Sequence, residues 1–260
     1  MTLKTQPMGW LWLGLAGLLG LMSCSGGGGS GDDRDMGSRP PAPLTSQSII
    51  EGEPPEGSPR FLTAPYDDES VSIFEGWYYD RSRVDLGCPH PFDQIPLTRH
   101  CAIDYIKGDL NDEGLSWEVF PVIAAAPGRA TVFISLSGAG TYAVIEHDEV
   151  DPEGRRFYTR YLHLNTATVA LPFEESVRVE RGEFIGMAGR TGQTTGIHLH
   201  FSVLIDDTNG EAEDSFDFAQ VDPYDLAGGL LRSGRRPIRD HYQPGSGCGP
   251  NHLWIDCPLD

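Results

Sequence analysis

Two histidines near residue 200 lie two positions apart in a stretch typical of a β-strand. From Ile197 to Val203, apolar and polar side chains alternate, so His198, His200 and Ser202 share one strand face. The opposite face is apolar and is expected to pack in a core. Two imidazoles on one polar face favour convergence on a metal ion or a reacting substrate atom. The H-x-H pair alone is a weak signal.

A third histidine precedes an acid by four residues. His100 and Asp104 share a face whether the segment is a strand or a helix. Together with one imidazole from the strand near residue 200, they form a three-ligand set that suits tetrahedral zinc with one open position. An open position indicates catalysis, because a structural zinc site usually has four protein ligands.

The segment from Tyr161 to Leu164 has the sequence Y-L-H-L. Strand alternation predicts that its two leucines are buried, and that Tyr161 and His163 share the opposite face. His163 would then face the same side as the other polar histidines.

In this order, the three elements resemble zinc metalloendopeptidases of the lysostaphin and LytM type, which cut peptidoglycan cross-bridges. The resemblance rests on H-x-x-x-D at 100–104, Y-x-H-L at 161–164, and G-x-x-G-R-T-G-Q-T-T-G-I-H-L-H-F ending at Phe201. It covers roughly residues 98 to 224. It implies an all-β domain, an antiparallel sheet or sandwich with a groove and few short helices.

The resemblance also implies a role for each polar residue. The zinc ligands are His100, Asp104 and His200, and the unliganded catalytic pair is His163 and His198. Zinc activates water and polarises the scissile carbonyl, while one histidine moves the proton and the other donates to the oxyanion. Which histidine has which role stays open. Tyr161 is a further candidate for contact with substrate.

The remaining histidines have no predicted part in the chemistry. His147 is interpreted as a structural, hydrogen-bonded strand residue, and His90, His241 and His252 as ordinary side chains. Ala102 stands where the family commonly has glycine, which removes no ligand.

Apolar runs separated by glycine-rich turns predict β-structure through the globular part of the chain, with no long amphipathic helix. The clearest hairpin joins Thr131–Leu136 to Thr141–Glu146 through the turn at 137–140. The acidic segment 206–214 is interpreted as a solvated turn, because its acids lack the spacing of an EF-hand loop.

The N-terminal sequence predicts export. An apolar run from Trp10 to Met22 follows Lys4 and is too short for a convincing membrane span. The sequence L-M-S-C ending at Cys24 resembles a bacterial lipobox, which implies lipid attachment to Cys24. An ordinary secretory signal is the alternative.

The segment that follows is rich in glycine, proline and serine. It predicts a flexible tether with an end-to-end distance of roughly 35 Å. A weaker alternative is that Ile49 and Ile50 form an extra strand on the domain. The predicted parts are a signal peptide at 1–23, the lipidated cysteine and tether at 24–60, a packing segment at 61–97, the zinc peptidase domain at 98–226 and a C-terminal extension at 227–260.

The cysteine count fits an exported protein, because removing Cys24 from the total of 5 leaves an even number. Sequence proximity favours disulfides between Cys88 and Cys101 and between Cys248 and Cys257. The first would fix the backbone beside a zinc ligand, and the alternative is that Cys101 is simply a small buried residue. The C-terminal extension either packs as a stapled segment or overhangs the groove.

The charge of the chain excludes one class of partner. A net charge of -19 disfavours generic nucleic-acid binding, which depends on basic side chains. The expected partners are peptide stems of peptidoglycan and a membrane that holds the lipid at Cys24. A monomer is expected, anchored to a bacterial membrane that faces the cell wall. In a cell with two membranes, this is the periplasmic face of the outer one.

The predicted function is hydrolysis of peptide cross-links in peptidoglycan by a zinc endopeptidase. In a cell with an outer membrane, family analogy indicates D-alanyl–diaminopimelyl cross-links. One alternative is a wall-binding regulator that activates a separate amidase. In that case the amidase is a further partner of this chain. Another is a zinc peptidase that acts on glycine-rich proteins.

Overall fold

The computed structural model describes residues 49–79, 99–112, 114, 116–136, 138–206, 218–226 and 242–260. In these residues every regular element is a strand, apart from one 3-10 turn at Thr166–Thr168. The strands are β1 Ile49–Gly52, β2 Val71–Glu75, β3 Tyr78–Tyr79, β4 Arg99–His100, β5 Ile103–Lys107, β6 Pro121–Ile123, β7 Gly128–Ile134, β8 Thr141–Val150, β9 Arg156–Leu164, β10 Val177–Val179, β11 Phe184–Met187, β12 Leu199–Asp206 and β13 Phe218–Val221.

A nine-stranded sheet forms the body of the domain, and β12 lies at its centre. One edge of β12 pairs with β9, while its other edge pairs first with β5 and then with β13. All named strand pairs are antiparallel except β1 with β13. The prediction of an all-β, antiparallel fold is therefore confirmed. No helix among the described residues has the length and apolar content to cross a membrane.

The main core lies against one face of β12, as the alternation in its sequence predicts. Leu199, Phe201 and Val203 are fully buried in a single cluster of apolar side chains. His200 lies between them in sequence and points to the opposite face. The core thus holds one face of β12 rigid while the other carries the polar residues.

The predicted hairpin is formed by β7 and β8. The two strands pair over seven positions, from Gly128 opposite His147 to Ile134 opposite Thr141. β9 then pairs along the other edge of β8. This meander brings the segment that carries His163 alongside β12.

The prediction of a tether as far as residue 60 is wrong for its last part. Residues 49–52 form β1, which pairs in parallel with β13, and Gly52 accepts a hydrogen bond from the backbone of Asp222 at 2.8 Å. Tertiary pairing thus overrides the flanking prolines and acids that favoured a disordered segment. Residues 24–48 of the predicted tether, the signal at 1–23 and the lipid site at Cys24 lie outside the described residues.

The described part of the C-terminal extension, residues 242–260, packs into the main core. Trp254 is fully buried and stacks on Phe201, with ring centroids 6.2 Å apart. The backbone of Leu62 donates to Leu253 at 2.9 Å and accepts from Ile255 at 2.9 Å. A disulfide joins Cys248 to Cys257. This segment therefore completes the core on the face away from His200, while residues 227–241 lie outside the described part.

His147 is a buried structural histidine. Its burial leads us to expect a lower free energy of unfolding in acid. Its side chain is fully buried and bonds Pro127 O at 2.9 Å and Thr159 Oγ1 at 2.8 Å. Burial lowers the pKa of His147 to about 4. The unfolded chain thus binds this proton below about pH 6.5, and the folded chain only below about pH 4. We expect His147 to remove about 3 kcal/mol of unfolding free energy as pH falls through that window.

The measurement is urea unfolding at a series of pH values for the protein and for His147→Gln. A glutamine amide retains donor and acceptor groups but does not titrate. The variant is expected to be less stable at pH 7 and to have a flatter pH dependence between about pH 6.5 and 4. Equal slopes for the two proteins over that window would refute the assignment to His147.

Candidate functional site

Three candidate ligand atoms meet in the floor of a cleft. Nε2 of His100 lies 3.2 Å from Oδ1 of Asp104. Nδ1 of His200 lies 3.0 Å from that same oxygen and 3.3 Å from Nε2 of His100. The residues belong to β4 and β5, which are neighbours in the chain, and to β12, which follows them by more than ninety residues. The fold thus brings all three predicted zinc ligands together.

The spacing of these atoms fits tetrahedral zinc. Ligand distances of about 2.0–2.1 Å place neighbouring ligand atoms of a tetrahedron roughly 3.3 Å apart. Two imidazoles and one carboxylate are also the donors of a catalytic zinc site with an open position. His163, His198 and His200 form a second possible group, with ligand atoms within 4.8 Å of one another. That group lacks a carboxylate, so the set with Asp104 is the better zinc site.

Backbone pairing sets the positions of the three residues. Asp104 lies directly opposite His200 in the β5–β12 pair, and directly opposite Glu75 in the β2–β5 pair. The carbonyl of Gly76 accepts a hydrogen bond from Nδ1 of His100 at 2.9 Å. Because a carbonyl only accepts, Nδ1 carries a proton, which leaves Nε2 as the nitrogen that can bind a metal.

The charges at the site follow from burial and from Asp104. Burial alone would lower the pKa of His100, but the charges of Asp104 and Glu75 outweigh it and raise that pKa to about 10. Burial would raise the pKa of Asp104, yet His100 and His198 hold it well below its usual range. Burial lowers the pKa of His200 to about 4, which keeps the ring neutral. A metal therefore competes with a proton on His100, so metal binding releases that proton.

The predicted catalytic pair lies beside the three ligands. The rings of His163 and His198 are 4.7 Å apart, and Nε2 of His198 lies 3.8 Å from Oδ2 of Asp104. Nδ1 of His163 donates to the carbonyl of Thr191 at 2.9 Å, and Nδ1 of His198 to that of Gly196 at 3.1 Å. Both rings therefore have Nε2 available as a proton acceptor.

Burial also keeps His163 neutral. Burial and, to a smaller extent, the neighbouring His198 and His200 together lower the pKa of this ring to about 3. At pH 7 the ring is in the form that accepts a proton from water.

The prediction that Tyr161 contacts substrate is wrong. Tyr161 is fully buried on the core side, where its ring lies edge-on to Phe201 at 5.3 Å and its hydroxyl accepts from Ala125 N at 2.9 Å. His163 has a φ of 65°, in the left-handed region, and this breaks the alternation of β9. As a result Leu162 and His163 both line the cleft, and Tyr161 does not share their face.

The cleft has a volume of about 300 Å³. Its lining consists of His100, Cys101, Asp104, Arg160, Leu162, His163, Gln193, Thr194, Thr195, His198, His200 and Gln220. Sequence reasoning missed Arg160 and Gln220. Arg160 lies two residues before Leu162, so alternation would have found it if Leu162 had not been assigned to the core.

The cysteine beside His100 is also at the cleft. Cys101 lines it, is buried, and is disulfide-bonded. Cys88, its predicted partner, lies outside the described residues, so that pairing stays a prediction.

Comparison with known families decides the classification. Residues 112–214 match the family described as Peptidase family M23. The chain contains an M23 domain. The matched range includes His163, His198 and His200, and it begins after His100 and Asp104. β5, which carries Asp104, lies before the matched range and pairs directly with the strand that carries His200.

Curated relatives of the M23 domain include bacterial peptidases. The peptidoglycan DD-endopeptidase ShyB of Vibrio cholerae is 41% identical over 85 residues, which are 33% of this chain and 18% of ShyB. An uncharacterized metalloprotease of Haemophilus influenzae is 31% identical over 157 residues, 55% of this chain and 30% of that protein. The chain therefore spans less than a third of the length of either relative.

Among solved structures, a zinc-containing peptidase from Vibrio cholerae is 29% identical, with a TM-score of 0.38. The match covers 56% of this chain and 37% of that one. The catalytic domain of lysostaphin from Staphylococcus simulans is 20% identical, with a TM-score of 0.36. That match covers 65% of this chain and 93% of the lysostaphin domain.

A glycine in the M23 domain holds the loop that fixes His163. Gly140 has a φ of 66°, and a Cβ there would overlap the backbone carbonyl of Thr191, which accepts the hydrogen bond from His163. Gly140→Ala is therefore expected to cost about 2–4 kcal/mol of unfolding free energy, from backbone strain and overlap together. The Gly140→Ala variant is also expected to lose a larger fraction of its activity than of its bound zinc.

Gly154→Ala is the matched control for this change. Gly154 has a φ of 83°, but a Cβ there would meet no atom within 4 Å. It should cost only about 1 kcal/mol, from backbone strain alone. Urea unfolding of both variants measures the difference, and equal destabilisation would show that the contact with Thr191 is unimportant.

Proposed function

We propose that this chain is a zinc-dependent endopeptidase that hydrolyses peptide cross-links of peptidoglycan. The observation that carries the proposal is the convergence of His100 Nε2, Asp104 Oδ1 and His200 Nδ1 within 3.0–3.3 Å. Two further histidines flank these atoms inside the same cleft. A protein that only binds the wall would need neither the three ligands nor the flanking pair.

The chain's own residues have distinct tasks in such a reaction. When bound, zinc would supply Lewis-acid activation of water and of the scissile carbonyl. His163 and His198 each present Nε2 to the cleft. One takes the proton of the attacking water and returns it to the leaving amine, and the other donates a hydrogen bond to the oxyanion. The carbonyls of Thr191 and Gly196 accept from Nδ1 of the two rings and direct each Nε2 into the cleft. The ring that donates to the oxyanion therefore does so as an imidazolium, with a second proton on Nε2.

The proposed substrate follows from the relatives. Two of them are named peptidoglycan DD-endopeptidases, at 41% and 35% identity over 85 residues each. We propose that this chain likewise cuts between D-alanine and the side-chain amine of diaminopimelate. Location is proposed on the sequence alone: export, with a lipid anchor at Cys24 that holds the domain near the wall.

Digestion of purified cell-wall sacculi tests the function. Zinc-loaded protein and His200→Ala are incubated with sacculi, and the released muropeptides are separated and identified by mass. We expect loss of cross-linked dimers and gain of monomers with the intact protein alone. Identical products from both proteins would refute the proposal.

A third incubation contains an amidase that cleaves stem peptides from the glycan. Activity of this chain as an amidase activator would release free stem peptides only in the combined sample, with dimers still intact. That result would also contradict endopeptidase action.

A further inference from the structure

A buried cation lies in the floor of the cleft beside the zinc ligands. Arg160 lines the cleft and is only 7% exposed. Burial lowers its pKa to about 10, so the guanidinium remains charged at pH 7. Gln220, 3% exposed, lines the same cleft.

A buried hydroxyl lies next to this cation. Ser202 on β12 is directly opposite Arg160 on β9, and residues paired in this way project from the same face of a sheet. Ser202 is 1% exposed, and its Oγ has no hydrogen-bond partner among the described residues. An unsatisfied hydroxyl at this depth indicates a ligand group that completes its hydrogen bonding.

These residues lie close to the metal centre. Ser202 follows His200 by two positions on β12, so their Cα atoms are about 7 Å apart on one face. On β9, Leu162 is the partner of His200, and Arg160 lies two positions before Leu162. On the other side, an apolar cluster of Val144, Tyr158 and Leu204 closes this face of the sheet. The polar residues thus form a compact patch between the zinc ligands and an apolar wall.

The chemistry of the patch suits a carboxylate. A guanidinium offers parallel N–H donors that match the two oxygens of a carboxylate, and serine and glutamine supply further donors. Burial strengthens these charge-assisted hydrogen bonds.

We propose that Arg160, Ser202 and Gln220 form a subsite for a free carboxylate adjacent to the scissile amide. This proposal rests on the proposed function and specifies its substrate. In a D-alanyl–diaminopimelyl cross-link, the carbon that carries the leaving nitrogen also carries a free carboxylate. With the scissile carbonyl at the metal centre, that carboxylate falls within one pleat step of it, where the patch lies. The subsite therefore selects cross-links whose amine side is acidic.

Two synthetic cross-linked peptides test the subsite. They are identical except that one has the carboxylate next to the cleaved amide and the other has a carboxamide there. Their dissociation constants are measured by calorimetry with zinc-loaded His163→Ala, which is expected to bind without cutting. We expect the carboxylate peptide to bind about 10- to 100-fold more tightly. Adding Arg160→Met should reduce this preference to less than about 3-fold.

Ser202→Ala in the same background is the second variant, and it should reduce the preference by a smaller factor without loss of zinc. If Arg160→Met does not fold, as judged by zinc content and circular dichroism, the result for Ser202→Ala tests the subsite instead. A preference that Ser202→Ala leaves unchanged would then refute the subsite. Absence of any preference in the parent protein, or a full preference in folded Arg160→Met, also refutes it.

Failure of the subsite and failure of the proposed function are distinguishable. If the unmutated protein cuts both peptides equally well and binding shows no preference, the function stands and the subsite is wrong. If the unmutated protein cuts neither peptide while binding still depends on Arg160, the subsite stands and the proposed function is wrong.

Discussion

Replacing His100 by alanine is expected to abolish zinc binding and to lower the rate of cross-link cleavage by roughly 10³-fold or more. His100 supplies one corner of the ligand triangle, and the Gly76 carbonyl fixes its ring so that Nε2 faces the other two ligands. Zinc content is measured by mass spectrometry after dialysis, and cleavage with a cross-linked muropeptide. About one zinc per chain is expected in the unmutated protein, and almost none in the variant.

His252→Ala is the matched control for this experiment. His252 is also a buried histidine, but it lies in the C-terminal segment that packs on the opposite side of the sheet from the ligands. We expect this variant to retain zinc and activity. Zinc bound stoichiometrically to His100→Ala would show that the ligand set contains a different residue.

Alanine at His163 or at His198 is expected to have a different effect. Each variant should keep zinc, because neither residue belongs to the ligand triangle, and should lose about 10²- to 10⁴-fold in kcat. KM should change little, since both residues act mainly on the transition state. Zinc content and steady-state kinetics on the same muropeptide measure the two effects separately.

The pH profiles of these variants separate the two roles. The variant that lacks the general base should lose the acid limb of its kcat profile, and the variant that lacks the oxyanion donor should keep that limb at a lower plateau. Loss of zinc from either variant would contradict the division between ligands and catalytic pair. Near-normal kcat in both would mean that neither ring has a part in the reaction.

The sequence predicts the polar face of β12 well because that strand is regular. Its core face is occupied by Leu199 and Phe201, so His200 and Ser202 must point the other way. The same logic fails on β9, where the left-handed backbone of His163 reverses the expected sides of Tyr161 and Leu162. Nothing in the residue types of that segment marks this reversal, because it comes from tertiary contacts with the Thr191 loop.

Long-range pairing explains the other differences. The strand at 49–52 exists only because β13 offers an edge for it, although its local sequence favours disorder. The burial of Trp254 likewise depends on a contact with Phe201, more than fifty residues away. Such contacts depend on the folded core, so the local amino-acid composition does not predict them.

The backbone hydrogen bonds between Leu62 and residues 253–255 join two segments that are synthesised far apart in time. Residues at both ends of the described domain contribute to one core, so that core stays open until residues 253–259 have been synthesised. The four histidines and the one aspartate of the cleft are synthesised earlier. Their strands then still lack the C-terminal segment that packs against the other face of the sheet. Removing residues 227–260 should therefore damage folding although the whole predicted catalytic set is still present. Measured by yield and proteolysis, a chain that ends at residue 226 should behave as a largely unfolded protein.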